Sequence, residues 1–405
     1  MIILIIGLGF VGLTTALGFA DKGHIVYGVD NDSHKIDELS KSSINLYEPG
    51  LNDALKRNLN KSFNLISVLP ENICNIDVVF ICVGTPCRED GSVDLSCIFS
   101  AIDGLNKNFK GLLIIKSTVP PATTKEKIIP YIKHKKLNCS VAVNPEFLRE
   151  GYSWEDFMNP DRIVCGIEDD TVAEILKSIY RDFNAPVIIT TLNTAEYIKY
   201  LSNTMLANMI SFSNEMSIIA NAIGNIFVKQ AFEALHADKR WGGAPMKNYV
   251  YPGCGFGGYC LPKDLSAMIT QAKDYGVEPA LLKAIQSINR TMPSFYVSQL
   301  MKEKPKNIGI LGLSFKPHTN DVRHSPAVPI IKEIINKGCR EIYAYDPVSN
   351  GAFKQAYPFE IHYCNGADEV CKKTKNVIII TAWEEFKGID KLFPEVKFID
   401  GRHIL

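Results

Sequence analysis

The chain has no surplus of charge in either direction: 44 Lys and Arg stand against 44 Asp and Glu in 405 residues. That balance argues against a nucleic-acid or anionic-membrane partner, which is usually met with an excess of basic residues. It leaves room for a local basic pocket around one phosphate ester. No apolar run reaches the roughly 18 residues that a membrane span needs. The apolar stretch at the N-terminus has no basic region ahead of it and leads into a glycine motif. It therefore reads as a strand and not as a signal peptide. The 11 cysteines are odd in number and scattered, with no Cys-x-x-Cys pair and no Cys/His cluster at zinc spacing. They read as buried free thiols of a cytoplasmic protein, and no metal site is evident.

What is present begins with Met1–Ile6, an apolar run of strand length. Gly7-Leu8-Gly9-Phe10-Val11-Gly12 follows, Leu13–Lys22 reads as a helix closed by Gly23, and His24–Val29 reads as a second strand ending on Asp30. In this strand–turn–helix–strand unit Gly7 allows a tight turn and Gly9 lets backbone approach a pyrophosphate. Gly12 lets the helix pack close to the strand, and the helix N-terminus faces the phosphates. Asp30 suits a ribose 2′-hydroxyl and repels a 2′-phosphate, so the expected cofactor is NAD and not NADP.

A second segment carries different chemistry. Gly253-Cys-Gly-Phe-Gly-Gly-Tyr-Cys-Leu-Pro-Lys-Asp264 is glycine-rich, so its backbone can pass close to another surface. Cys260 follows the glycines, with Lys263 and Asp264 just beyond. A thiol becomes a nucleophile beside a base or a cation.

Between these segments the N-terminal part alternates strands and helices, with strands at Asp77–Gly84, Gly111–Thr118, Val141–Phe147 and Arg162–Ile167. Alternation of this kind points to a parallel, doubly wound sheet whose chemistry gathers at the carboxyl ends of the strands. Asn193–Ile223 lacks glycine and proline and reads as one helix, with Asn193 as N-cap and Glu196 completing something close to a capping box. At 1.5 Å per residue, about 30 residues would span roughly 45 Å, long enough for a spine between domains. Lys199 and Asn203 share a face of it. The last third opens a second α/β pattern: Asn307–Ser314 echoes the first strand and turn, and Glu341–Asp346 echoes the second strand with its acid. It lacks the Gly-x-Gly-x-x-Gly spacing and carries Lys316 and Arg323, which suits a phosphate ester. The expected fold is α/β: two Rossmann-like doubly wound domains, over 1–190 and 299–405, joined by the long helix and a helical middle domain over 191–298.

Taken together, the motifs resemble the UDP-glucose/GDP-mannose dehydrogenase family. They are Gly7–Gly12 with Asp30, Tyr47-Glu48-Pro49-Gly50-Leu51, Val83–Pro86, Lys116–Pro120, Asn144–Gly151, Asn159–Arg162, Lys199 with Asn203, Gly255–Asp264, and Phe315-Lys316 with Arg323. They run in family order across nearly the whole chain. The resemblance implies NAD-dependent, four-electron oxidation of a sugar C6 alcohol to a carboxylate, with UDP-glucose favoured. A UDP-N-acetylhexosamine or GDP-mannose stands as alternative, and more distantly a two-electron dehydrogenase or a non-catalytic NAD sensor. It implies Cys260 as nucleophile, Asp264 and Lys199 as handlers of the first proton, Lys199 and Asn203 as oxyanion donors, Glu146 as base for thioester hydrolysis and Thr118 as positioner of water. For NAD it adds Phe10, Val11, Lys35, Val83, Thr85, Thr118, Glu150, Lys263 and Arg323. For the UDP-sugar it implies Glu146, Phe147, Leu148, Lys199, Asn203, Tyr249, Gly257, Phe315, Lys316, Arg402 and, reaching across a homodimer interface, Arg240. The family's Asp-x-Arg-Ile-Gly here reads Asp238-Lys239-Arg240-Trp241-Gly242, followed by a longer link to the glycine loop. That departure bears on Arg240 and on the identity of the sugar.

Overall fold

Ile2–Ile6 (β1) and Ile25–Val29 (β2) are the strands that the opening apolar runs demand, and they pair in parallel. The computed structural model describes residues 1–44, 46–66, 75–238 and 251–405. It divides into two compact units, Met1–Ser202 and Asn203–Leu405.

The first unit is built on an eight-stranded sheet. Its further strands are Phe63–Leu65 (β3), Val78–Ile81 (β4), Leu112–Ile115 (β5), Ser140–Val143 (β6), Ile163–Ile167 (β7) and Val187–Thr191 (β8). Their order is β3-β2-β1-β4-β5-β6-β7-β8. The strand direction reverses once: β6 meets β7 antiparallel through Val143 and Gly166, while every other pair is parallel. The expected parallel, doubly wound sheet holds at every other pairing, and β3 and β8 are strands the apolar pattern did not single out. β4 and β5 are buried at every position, as fits strands covered on both faces. The core gathers Phe19, Phe80, Phe157, Tyr180 and Phe183 into edge-on and tilted ring contacts.

The second unit holds a five-stranded parallel sheet of Asn307–Leu311 (β9), Glu341–Tyr345 (β10), His362–Tyr363 (β11), Asn376–Ile379 (β12) and Lys397–Asp400 (β13), in the order β11-β10-β9-β12-β13. The echo between chain ends is thus topological: β9 and β10 stand in this sheet as β1 and β2 stand in the first. Two further helices, Cys260–Asp274 and Ala280–Leu300, lie in the same unit.

The long helix runs over Leu192–Ile223. Because it starts one residue early, Asn193 is inside it and is not the N-cap. Thr191 takes that part, accepting the Thr194 N–H at 3.2 Å. Nor does Glu196 close a capping box. It is buried, and its carboxylate accepts the backbone N–H of Thr124 at 2.9 Å.

Candidate active site

The first turn of the helix Phe10–Asp21 begins three residues earlier than the sequence pattern suggests. Gly9 stands at its N-cap and its carbonyl accepts the Leu13 N–H at 2.9 Å. The N–H groups ahead of Leu13 therefore have no intrahelical acceptor and are available to an anion. Gly12 is inside the helix, where a Cβ would meet the Gly7 carbonyl oxygen at 1.8 Å. A Cβ on Gly9 would meet nothing within 4 Å, so the space over the turn is open. Phe10 and Val11 are half-buried at its edge. Asp30 at the end of β2 accepts the Leu8 N–H at 2.7 Å, the Asp32 N–H at 3.0 Å and the Lys35 ammonium at 2.8 Å. Burial pushes its carboxyl up, but the bonds from Lys35, Asp32 and Leu8 outweigh this and hold it below its ordinary value. An ionised acceptor beside an open, N–H-lined turn fits a dinucleotide. Lys35 belongs to this site through Asp30.

The neighbouring strand ends interlock. The Thr85 hydroxyl donates to the Thr118 carbonyl at 2.9 Å, and the Ser117 hydroxyl to the Val83 carbonyl at 2.7 Å. Beneath them Lys116 is buried and donates to Asn144 Oδ1 at 2.8 Å, with Tyr180 bonding the same oxygen at 2.6 Å. Burial pushes the Lys116 ammonium down. Glu146 Oε1 pairs with Lys199 Nζ at 2.9 Å, and its Oε2 accepts the Leu148 N–H at 2.6 Å. The Phe147 ring lies under Lys199, 5.5 Å from its Nζ, with the Arg162 guanidinium 4.0 Å from the ring centroid. Glu146, Phe147, Leu148 and Lys199 are brought together as expected. Glu150 follows on the same loop.

In the second unit Cys260 is the first residue of the helix Cys260–Asp274, where the sequence reads as loop. It is half-buried, and an anion formed there sits at the positive end of the helix dipole. One turn on, Asp264 accepts from Asn203 Nδ2 at 2.6 Å and from Lys263 Nζ at 2.5 Å, all three side chains being buried. Burial pushes Lys263 down, but the Asp264 carboxylate outweighs it and raises the ammonium. The Tyr259 ring takes Lys263 at 5.7 Å and the Arg323 guanidinium at 4.6 Å from its centroid. Arg323 is also held by Asp321, with Nε to Oδ1 at 3.0 Å.

The glycine loop meets protein more than the sequence reading allows. A Cβ on Gly257 would strike the His324 carbonyl oxygen at 2.2 Å, and Gly258 donates its N–H to the Arg323 carbonyl at 3.0 Å. The loop is therefore drawn against the segment that carries Phe315, Lys316 and Arg323. Arg402 also reaches it, and holds the Ile380 carbonyl through Nε. Arg240 and Tyr249, with the long link around them, lie outside the described residues.

The echo of Asp30 ends in chemistry. Asp346 at the end of β10 accepts from the Leu313, Ser314, Val348 and Ser349 N–H groups, the Ser314 hydroxyl and Trp383 Nε1. Its carboxylate is consumed within the protein, so the second sheet does not repeat the arrangement around Asp30.

Comparison with known proteins decides the family. Residues 1–184 match the NAD-binding domain of the UDP-glucose/GDP-mannose dehydrogenase family, 193–291 its central domain and 309–405 its UDP-binding domain. The chain belongs to the UDP-glucose/GDP-mannose dehydrogenase family. It is an NAD-dependent oxidoreductase of nucleotide sugars. A UDP-glucose 6-dehydrogenase of Rickettsia bellii is 40% identical over 100% of this chain and 96% of its own length. The structure of a UDP-glucose dehydrogenase from Pyrobaculum islandicum superposes with a TM-score of 0.91 at 34% identity, covering 100% of this chain and 94% of that one. A UDP-D-ManNAc dehydrogenase from Pyrococcus horikoshii gives a TM-score of 0.86 at 28% identity, covering 100% and 96%.

Family membership leaves several buried polar groups that sequence reasoning passed over. Lys116 was visible only as a polar strand end. Glu196 carries a periodicity-compatible position that suggested a cap. Glu48 lies in the Tyr47–Leu51 segment, where its neighbours in sequence suggest no chemistry. Among the described residues no cluster of three or more His, Cys, Asp or Glu is arranged to hold a metal ion, and no helix is long and apolar enough to cross a membrane.

Proposed function

We propose that the protein oxidises UDP-glucose to UDP-glucuronate in two NAD-dependent steps, with Cys260 as covalent nucleophile. The observation that carries this reading is the buried Asn203–Asp264–Lys263 constellation one turn from Cys260. A two-electron dehydrogenase has no use for a thiol in that company. The names of the Rickettsia and Pyrobaculum relatives support UDP-glucose as the sugar.

NAD, which the Gly7–Gly12 turn and Asp30 would hold, would supply the hydride acceptor, one molecule for each of the two oxidations. The C6 hydroxyl gives its proton through an ordered water to Asp264 as its carbon loses the first hydride, with the Lys199 ammonium steadying the developing alkoxide. The Cys260 thiolate then adds to the aldehyde carbon, making a thiohemiacetal whose oxyanion Lys199 and Asn203 stabilise. Loss of the second hydride leaves a thioester. Water positioned by Thr118 and activated by Glu146 hydrolyses it, returning the thiolate and releasing the carboxylate. Val83, Thr85, Glu150, Lys263 and Arg323 complete the NAD contacts. Phe147, Leu148, Tyr249, Gly257, Phe315, Lys316, Arg240 and Arg402 complete those of the UDP-sugar.

A UDP-N-acetylhexosamine is the second reading, favoured by the likeness to the UDP-D-ManNAc dehydrogenase. A panel of UDP- and GDP-sugars assayed for NADH formation separates the two. The largest kcat/KM on UDP-glucose supports the first, and on an N-acetylated sugar the second.

We infer three domains bounded at 1–190, 191–298 and 299–405, a reducing, cytoplasmic setting, and a homodimer. The spans matched by the three family domains, 1–184, 193–291 and 309–405, support a three-part division. Free thiols at all ten described cysteines support the setting. The long helix supports the dimer: Leu201, Met205, Phe212, Met216, Ile219 and Ile223 are exposed. At 100° per residue they fall in one stripe about 60° wide. Sedimentation of Phe212→Lys/Met216→Lys as the same dimer as wild type would remove that argument.

A further inference from the structure

Tyr47-Glu48-Pro49-Gly50 has no part in the chemistry above, yet Glu48 is buried. Its Oε1 accepts the Gly151 N–H at 2.7 Å. Its Oε2 accepts both the Ser153 N–H at 3.1 Å and the Ser153 hydroxyl at 2.8 Å. Ser153 opens the helix Ser153–Met158, so the carboxylate satisfies the first N–H of that helix, which lacks an intrahelical partner. The Ser153 hydroxyl in turn stands 3.1 Å from that of Thr14, on the helix behind the dinucleotide turn. Gly50, at φ +86°, lies where a Cβ would meet the Trp154 ring at 2.6 Å. The motif is thus shaped to close on residues 151–154.

Those residues end the loop that begins at Glu146. Its first end is fixed by the Glu146–Lys199 ion pair and by the Leu148 N–H on Glu146. In between, Arg149 is tied to Asp156. The second end is fixed by Glu48. The path of the intervening backbone is thus held from both sides.

We propose that Glu48 is a positioning residue for the oxidation: its carboxylate clasps the far end of the Glu146–Gly151 loop and so sets where Phe147, Leu148 and Glu150 stand against sugar and nicotinamide. The inference rests on the function proposed above. A carboxylate suits this place because its two oxygens face two backbone N–H groups and a hydroxyl, all able to donate. An amide of the same shape turns an NH2 toward an N–H and loses one side of the clasp.

The test is Glu48→Gln in the full-length protein. Hydrogen exchange of the peptide spanning 147–153 is expected to quicken at least tenfold without any ligand, while exchange around Gly7–Gly12 stays as in wild type. With UDP-glucose, KM is expected to rise and kcat to fall, for a loss of about tenfold in kcat/KM. The dissociation constant for NADH should stay within twofold. A purely structural role predicts a lower Tm with wild-type kinetics below it, and that result overturns the proposal. Unchanged exchange in the loop also overturns it. Wild-type protein that reduces no NAD with any nucleotide sugar overturns the parent function and the positioning role with it, a result distinct from an active wild type matched by its variant. Should Glu48→Gln not fold, Ser153→Ala decides: it removes one of the three bonds and is expected to give the same pattern at about threefold.

Discussion

Glu146 and Lys199 face each other across 2.9 Å with side chains only 6% and 5% exposed. Removing either partner takes the ion pair from a buried charge, which costs roughly 3 kcal/mol or more, whereas removing both takes away both charges of the pair. Glu146→Gln and Lys199→Met are each expected to lower stability by about that amount in urea unfolding. The double variant should lose clearly less than the sum of the two. Additive losses would show that the pair is not coupled.

Asp30 is engaged by Lys35 but remains an anion with its second oxygen bonded only to the Asp32 N–H among the hydrogen bonds described. Asp30→Ser is expected to weaken NADH binding by about tenfold and to shrink its preference over NADPH, since the repulsion of a 2′-phosphate goes with the charge. Fluorescence titration with each nucleotide reads both effects. An unchanged ratio of the two affinities would take Asp30 out of cofactor choice.

Burial lifts the Glu196 carboxyl from 4.5 to about 7, against hydrogen bonds from Thr124, Ala122 and Thr123 that pull it down. The folded chain thus holds this proton more tightly than the unfolded chain. Below about pH 4 both states are protonated and the group costs nothing. The cost grows between the unfolded and folded values and is complete above about pH 7, with a ceiling of about 3 kcal/mol at 1.36 kcal/mol per pKa unit. Glu196→Gln should therefore gain Tm relative to wild type between pH 4.5 and pH 8. A difference that does not change with pH contradicts this.

How much the sequence reveals depends on how local the physics is. The Gly7–Gly12 turn, β1, β2 and Asp30 are a contiguous unit, and each was legible because adjacent residues decide its shape. Lys263 and Asp264 meet in the fold as they stand in the sequence, one residue apart. The reversed strand β7 was not, because its direction depends on pairing with β6 and β8 and not on its own pattern. Glu196 has a cap-like spacing but is claimed by Thr124, 72 positions away. Glu48 meets Gly151 at a separation of 103. Asp346 mimics Asp30 in place and residue type, and only its bonding partners separate their roles.

The most direct measurement is the amount of NADH formed per UDP-glucose consumed, with wild type and Cys260→Ser side by side. Four-electron oxidation through a Cys260 thioester predicts two equivalents from wild type. It predicts that the variant does not complete the cycle and accumulates an aldehyde-level or ester species. One equivalent from wild type, or two equivalents at wild-type turnover from Cys260→Ser, would contradict it.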